Sequence, residues 1–283
     1  LEVSKVLLKA VEDYGKSKGM EDMVGPLGFT DMDPEGMLTW GFDQLGTMPT
    51  IYNYPYYPEH IKAIGGFEVD NKYVENKLMV PEAVPEKYAK IAAMIQKRYN
   101  LHVVKLTKKM VFDEGYGQKI FDLINATYSH LYGYSQLTQK QINQYIKMYL
   151  GMLDLEFVTL IEDWSGDERK LVGAGISMPS LSIALQKCHR GRMLPFGWWH
   201  LLRAIKFHKT KIVDLLLVGI LPEYRAKGAN ALLFADLIPI YQKYGIEWGE
   251  TQVEMETNTA VQGQWGPLSP IQHKRRECYI KKI

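Results

Sequence analysis

Apolar residues recur every three or four positions in several stretches of the chain, which is the spacing of one helical face. The best defined of these, Leu7, Ala10, Val11 and Tyr14, ends at Gly19. Thr138 precedes another, with Gln141 three positions later, and this predicts a capping box. Predicted helices cover residues 4–18, 58–64, 85–99, 120–131, 139–150 and 231–244, with a short one from about Asn258.

Other stretches alternate between apolar and polar residues or are apolar throughout, which is typical of strands. The most apolar, residues 212–220, is stopped by Pro222. Strands are predicted near residues 22–28, 47–51, 67–80, 101–106, 156–161, 170–178, 212–220, 251–256 and 276–280. Helices and strands in this order predict a mixed α/β fold (α+β) around one sheet.

Composition narrows the class of protein. The chain of 283 residues is 46% hydrophobic and 23% charged, which excludes disorder and a fibrous protein. Its net charge of +2 argues against nucleic acid as a partner, and its two cysteines suit a reducing compartment, so a cytoplasmic location is expected. The longest apolar run is seven residues against the roughly 20 that span a bilayer, so no membrane partner is expected. The seven histidines show no spacing typical of a metal site, and no metal is expected.

The strongest local signal follows the most apolar strand. Pro222 ends the strand, and a turn with Arg225, Lys227 and Gly228 leads directly into a helix. Such a turn aims backbone N–H groups and a helix N-terminus at one point, where a pyrophosphate could bind. The alternative is a plain strand–turn–helix connection with solvated basic residues.

This run resembles motif A of the GCN5-related N-acetyltransferase (GNAT) superfamily, which has Arg or Gln, two residues, Gly, one residue, then Gly or Ala. Arg225, Gly228 and Asn230 occupy those positions, with Asn230 in place of the last small residue. The resemblance covers residues 101–283 and implies a central mixed sheet flanked by helices.

The resemblance also implies a coenzyme site for an acyl-coenzyme A, in the first instance acetyl-coenzyme A. The backbone of Val218, Gly219 and Ile220 would pair with the pantetheine arm and polarise the thioester carbonyl. The pyrophosphate would lie against the residues of the turn, namely Arg225, Ala226, Lys227, Gly228, Ala229 and Asn230.

Candidate catalytic residues lie on either side of that turn. Glu254 and Glu256 are two positions apart in a predicted strand and would share one face, either as a general base or as the strand's solvent side. Asp214 is the competing base. By the resemblance, Asn258 stands at a site position of the superfamily, whereas Trp265 stands where a proton-donating Tyr is common.

Residues 1–80 show a weak repeat of the later part of the chain. A helix, a strand, an Asn (Asn53 or Asn258), a short helix and a last strand follow one another in both. We therefore expect a partial GNAT-like copy over 1–80, a connecting helix over 81–100 and a complete copy over 101–283. A partial copy also predicts a natural chain that extends further at its N-terminus.

About 30 residues, 180–211, intervene where the superfamily has a direct hairpin. Loops of this length usually carry function or structure of their own. The insert is either a helical hairpin whose aromatic face packs on the other domain, or a lid over an acceptor pocket.

The sequence thus favours an acyl-coenzyme A dependent N-acyltransferase that acts by direct attack of a small-molecule or peptide amine. Its alternatives are a catalytically silent GNAT-like binding module and a tandem transferase that uses an aminoacyl-tRNA donor. The oligomeric state does not follow from the sequence.

Overall fold

A computed structural model describes residues 1–30, 32–151 and 153–283. The helices in this part of the chain are α1 (Glu2–Ser17), α2 (Tyr56–Ile64), α3 (Glu86–Tyr99), α4 (Lys108–Phe112), α5 (Tyr116–Tyr128), α6 (Gln139–Tyr145), α7 (Ser182–Gln186), α8 (Gly197–Lys206), α9 (Pro222–Arg225), α10 (Asn230–Lys243) and α11 (Thr259–Gln264). The strands are β1 (Asp22–Gly25), β2 (Met37–Trp40), β3 (Glu68–Met79), β4 (Leu101–Lys105), β5 (Val158–Asp163), β6 (Lys170–Pro179), β7 (Ile212–Ile220), β8 (Trp248–Glu250), β9 (Glu254–Met255) and β10 (Ile271–Lys282).

All these strands form one sheet in the order β1-β10-β3-β8-β7-β6-β5-β4, with β2 also on β10 and β9 also on β3. Among the described strands, β7 and β8 are the parallel pair, and the other pairs are antiparallel. The sheet is therefore mixed, as predicted, and the fold class is confirmed.

Helices cover both faces of the sheet. Leu160 and Ile161 are neighbours in β5, fully buried, and point to opposite faces because side chains alternate along a strand. Leu160 packs in the cluster formed with α5, and Ile161 packs in the cluster formed with α3 and α10. The core thus lies in two layers around the centre of the sheet.

The first and last parts of the chain have the same order of elements. The series α1, β1, β2, α2, β3 matches the series α10, β8, β9, α11, β10, and both long strands have 12 residues. The long strands pair with each other, and each also pairs with the two short strands of the opposite series. The two series therefore exchange their last strands.

Most of the predicted elements are confirmed, including the capping box of Thr138 and Gln141. The strand predicted at 47–51 is wrong, since these residues form turns and irregular structure. The strand predicted at 251–256 is mostly wrong, because pairing with β7 and β3 falls on residues 248–250, and strand structure resumes only at 254–255, on β3 alone. Because β3 lies between β8 and β10, the sheet continues across the boundary predicted at residue 80; the domain limits themselves stay a prediction.

Candidate functional site

The parallel pair of strands separates shortly after it begins. Residues 212–214 of β7 pair with residues 248–250 of β8. Beyond this point β7 continues to Ile220, whereas the chain after β8 pairs with β3 through β9. We call the resulting gap the strand split. A cavity of about 760 Å³ opens there. Its size is within the range of sites for whole small molecules, about 300–1,000 Å³.

Apolar side chains from both faces of the sheet form most of the cavity wall. Large aliphatic and aromatic residues of α5, β7 and α10 contribute most, together with Leu181 and Ile205 of the insert. Representative lining residues are Ile120, Phe121, Ile124, Leu131, Leu153, Leu215, Leu216, Leu217, Leu233, Phe234, Leu237 and Ile238. The cavity therefore suits an aliphatic ligand.

Glu254 is one of the predicted catalytic residues that the structure places in this cavity wall. Its carboxylate accepts hydrogen bonds from Trp265 Nε1 at 2.6 Å and from Asn76 Nδ2 at 3.2 Å. Burial raises the pKa of Glu254 to about 7, although the two hydrogen bonds act in the opposite direction. A carboxyl group with this pKa can take up and release a proton near neutral pH.

The partner predicted for Glu254 does not join it. Glu256 is exposed and is absent from the cavity wall, so the prediction that the two share one face is wrong. The reason is that β9 ends at Met255 and the chain turns into α11. Asn258 does line the cavity, and its side chain caps α11 by accepting from Val261 N at 3.3 Å.

Asp214 is elsewhere, at the closed end of the strand split. It is fully buried, opposite Glu250 in the register of β7 and β8, and absent from the cavity wall. Burial raises its pKa to about 7, and the charge of Glu250 adds to the effect. The Ser180 side chain and the charge of Lys274 act in the opposite direction. The position does not support the role of a base toward a cavity ligand.

A buried ionic cluster adjoins Asp214. Lys274 Nζ lies 2.7 Å from both Glu75 Oε2 and Glu250 Oε1, and Arg276 Nε lies 2.6 Å from Glu75 Oε1. Burial alone would raise the pKa of Glu75, but Arg276 and Lys274 together lower it. The ion pairs of the cluster link β3 to β10 and β8, so the cluster has a structural role.

The turn predicted to hold pyrophosphate is closed on itself. The backbone N–H groups of Arg225, Ala226, Lys227, Gly228 and Ala229 all donate to carbonyls of residues 221–225. Gly228 has φ of +87° and faces α3, where an added Cβ would lie 3.5 Å from Ile91 and Ile95. Lys227 lies over the rings of Tyr99 and Tyr224. This geometry is that of the plain strand–turn–helix connection.

Arg225 and Asn230 are the two residues of that turn that reach the cavity wall. Arg225 Nη2 donates to Ile220 O at 3.2 Å, and Asn230 Nδ2 donates to Gln264 Oε1 at 2.9 Å. Asn230, which replaces the last small residue of the motif, therefore ties α10 to α11.

On the edge of β7 that faces the strand split, the backbone groups of Val218 also have a hydrogen-bond partner. The Tyr128 hydroxyl accepts from Val218 N at 3.3 Å and donates to Val218 O at 3.2 Å. Gly219 pairs with Ala174 of β6, and an added Cβ there would lie 2.8 Å from Thr127 Oγ1. Gly219 is thus a point of close approach to α5 and does not face the split.

These observations decide how well coenzyme A fits the described residues. Of the amides predicted to bind its pyrophosphate, those of residues 225–229 already donate to backbone carbonyls, and the edge amide of Val218 is bonded to Tyr128. The residues do not form a ready coenzyme cradle of the predicted kind.

Sequence reasoning missed three contributors to the site. Asn76 reaches Glu254 from a residue 178 positions earlier in the chain. Trp265, noted as a departure from the motif, is a hydrogen-bond donor to the candidate base. Tyr128 comes from α5. The sequence predicted a helix there, but nothing local indicated that the hydroxyl of Tyr128 meets β7.

Comparisons with known proteins support the fold. No protein-family profile matches the chain. A bacterial ceramide synthase of Caulobacter vibrioides is 21% identical over 300 residues, which span 99% of this chain and 72% of that protein. Protein YghO of Escherichia coli is 21% identical over 289 residues, which span the whole of this chain and 71% of that protein.

Among solved structures, the chain resembles the GCN5-related glucosamine N-acetyltransferase region of a fungal multi-domain β-N-acetylglucosaminidase. The TM-score is 0.53 at 9% identity, over 97% of this chain and 27% of that one. The protein therefore has the GNAT fold, and the resemblance drawn from the turn at residues 225–230 is confirmed at the level of fold.

Proposed function

We propose that this protein is an N-acyltransferase that joins a long acyl chain to an amine. The observation that carries the proposal is the apolar cavity of about 760 Å³ at the strand split, with Glu254 in its wall. An acetyl group would fill only a small part of this volume. The curated relative named a ceramide synthase supports the same substrate class, since a ceramide is an amide of a long-chain amino alcohol and a fatty acid.

Glu254 is the residue to which we assign the general base. It accepts the proton of the attacking amine, whose nitrogen then bonds to the acyl carbon. The bond from that carbon to the leaving atom breaks, and the leaving group receives the proton, so the amine loses one proton and the leaving group gains one. Trp265 and Asn76 hold the Glu254 carboxylate toward the cavity.

The donor that we propose to test first is an acyl thioester, with acyl-coenzyme A as one member of the class. A catalytically silent binding module is the alternative. The hydrogen bond from Trp265 to Glu254 weakens that alternative, because it gives the departure from the superfamily motif a use within the site.

The test is a product assay by mass spectrometry with long-chain amino alcohols and short amines as acceptors, and with acetyl, octanoyl and palmitoyl thioesters as donors. We expect amide formation with the long donors and little with acetyl. Glu254→Gln should reduce the rate about 10²–10⁴-fold, whereas the matched variant Glu256→Gln should keep it. Equal use of acetyl and palmitoyl donors would contradict the long-chain assignment. No product from any thioester would favour the silent module.

A further inference from the structure

The insert, residues 180–211, has a charge unlike that of the remaining chain. It contains seven of the 34 Lys and Arg residues and none of the 32 Asp and Glu residues. Its formal charge is therefore +7, and that of all other residues together is −5. The near-neutral total conceals a strongly basic surface element.

Most of the basic side chains of the insert are exposed to solvent. Lys211 pairs with Glu247 at 2.5 Å. The other six basic residues are exposed, and none forms an ion pair within the described part of the chain; they are Lys187, Arg190, Arg192, Arg203, Lys206 and Lys209.

Large apolar side chains are exposed among these charges. Leu194 is 75% exposed and Phe196 is 70% exposed. Further exposed members of the patch are Met193, Trp198, Trp199 and Phe207. The aromatic face therefore does not pack on another domain, which corrects the helical-hairpin alternative on that point.

The insert contains the helices α7 and α8, and their inner side contacts the protein core and the cavity. Leu181, Ala184 and Ala204 form a small buried cluster. Leu181 and Ile205 also line the cavity. The insert thus contributes both to the cavity wall and to the exposed aromatic patch.

We propose that the insert is a docking surface for an anionic phospholipid bilayer. Trp and Phe side chains prefer the interface between headgroups and acyl chains, and amphipathic helices with basic residues lie in that plane. Lys and Arg beside such a helix are attracted to anionic lipids. The positive charge of the insert complements the negative charge of these headgroups, which is why we name an anionic bilayer as the partner. This proposal replaces the expectation of no membrane partner.

Docking through the insert places the cavity wall formed by Leu181 and Ile205 next to the bilayer. A long-chain substrate could then pass from the bilayer into the cavity. This part of the inference depends on the proposed function. The docking itself does not, and its test measures no turnover. None of the helices described in residues 1–30, 32–151 and 153–283 could span a bilayer.

The test is flotation of the full chain with vesicles of phosphatidylcholine alone and of phosphatidylcholine with phosphatidylglycerol. We expect binding to the anionic vesicles, weakened by salt because the attraction is screened. Leu194→Ser with Phe196→Ser should lower the partition coefficient about tenfold, and Arg203→Gln with Lys206→Gln should lower it for anionic vesicles. Val3→Ser with Leu7→Ser, which alters exposed apolar residues of α1, is the matched control and should bind as the wild type does.

Three results would overturn the proposal. The first is no binding of the wild type to anionic vesicles. The second is equal binding by both insert variants, each shown by circular dichroism to be folded. The third is a dimer in solution that Leu194→Ser with Phe196→Ser dissociates, without vesicle binding, because the patch would then be an interface between copies. Vesicle binding without acyl transfer would leave the docking surface in place and count only against the proposed function.

Discussion

The two matching series of elements differ most in their long helices. In α10, Leu232 is 1% exposed and packs with α3 and β5. In α1, the corresponding Leu7 is 62% exposed, as are Val3, Val6, Val11 and Tyr14 to similar extents. Both helices have the apolar spacing of a buried face. The spacing therefore does not by itself produce burial, which depends on what the rest of the fold places opposite the helix.

The neighbouring strands explain the difference. In the second series, β8 has β7 beside it, and β6, β5 and β4 continue the sheet under α10. In the first series, β1 is the edge of the sheet on the other side. Within the part of the chain that the structure describes, the strand split, its cavity and Glu254 belong to the second series, where β7 is the parallel neighbour of β8. The natural chain's further extent at the N-terminus stays a prediction.

The largest expected effect compares the two helices directly. Leu232→Ala should lower the free energy of unfolding by about 2–5 kcal/mol, because it leaves a cavity between α10 and α3. Leu7→Ala should change it by no more than about 0.5 kcal/mol, since the side chain is largely exposed. Urea unfolding of both variants measures the contrast. A large loss for Leu7→Ala would show that the face of α1 is covered in solution.

The next effect concerns the closed end of the split. The pKa of Asp214 is raised from its ordinary value to about 7 in the folded state, so its stabilising contribution is complete below about pH 3.8 and is lost as pH rises through 7. Asp214→Asn removes this dependence. From pH 4 to pH 8 the variant should gain about 1–3 kcal/mol relative to the wild type. Unfolding at several pH values tests this, and parallel curves for the two proteins would contradict it.

The smallest effect concerns the hydrogen bond from Trp265 to Glu254 at the strand split. Trp265→Phe removes the indole donor that lowers the pKa of Glu254. The acid limb of the rate profile, expected near pH 7, should move upward by about half a unit to one unit, given about 0.5–1.5 kcal/mol for a hydrogen bond. The rate should recover at high pH. Trp248→Phe, which changes a tryptophan that does not bond Glu254, should leave the limb in place; an equal shift in both would contradict the assignment.

The sequence indicated the fold well because the signals were local. The capping box at Thr138, the glycine after α1 and the stop at Pro222 each depend on residues within a few positions of one another. The repeat was also visible in sequence, since it concerns the order of elements. The exchange of β3 and β10 between the series was not, because strand pairing joins residues about 200 positions apart.

The sequence by itself determined most helices and strands, the mixed sheet and the identity of Glu254 as a candidate base. The tertiary structure decided that Glu254 is half-buried in the cavity wall and Glu256 exposed, that Asp214 lies outside the cavity, and that Gly228 faces α3. Each of these depends on partners supplied from distant parts of the chain. Burial and hydrogen bonding set the chemistry of a side chain, and both are properties of its surroundings in the fold rather than of its neighbours in the sequence.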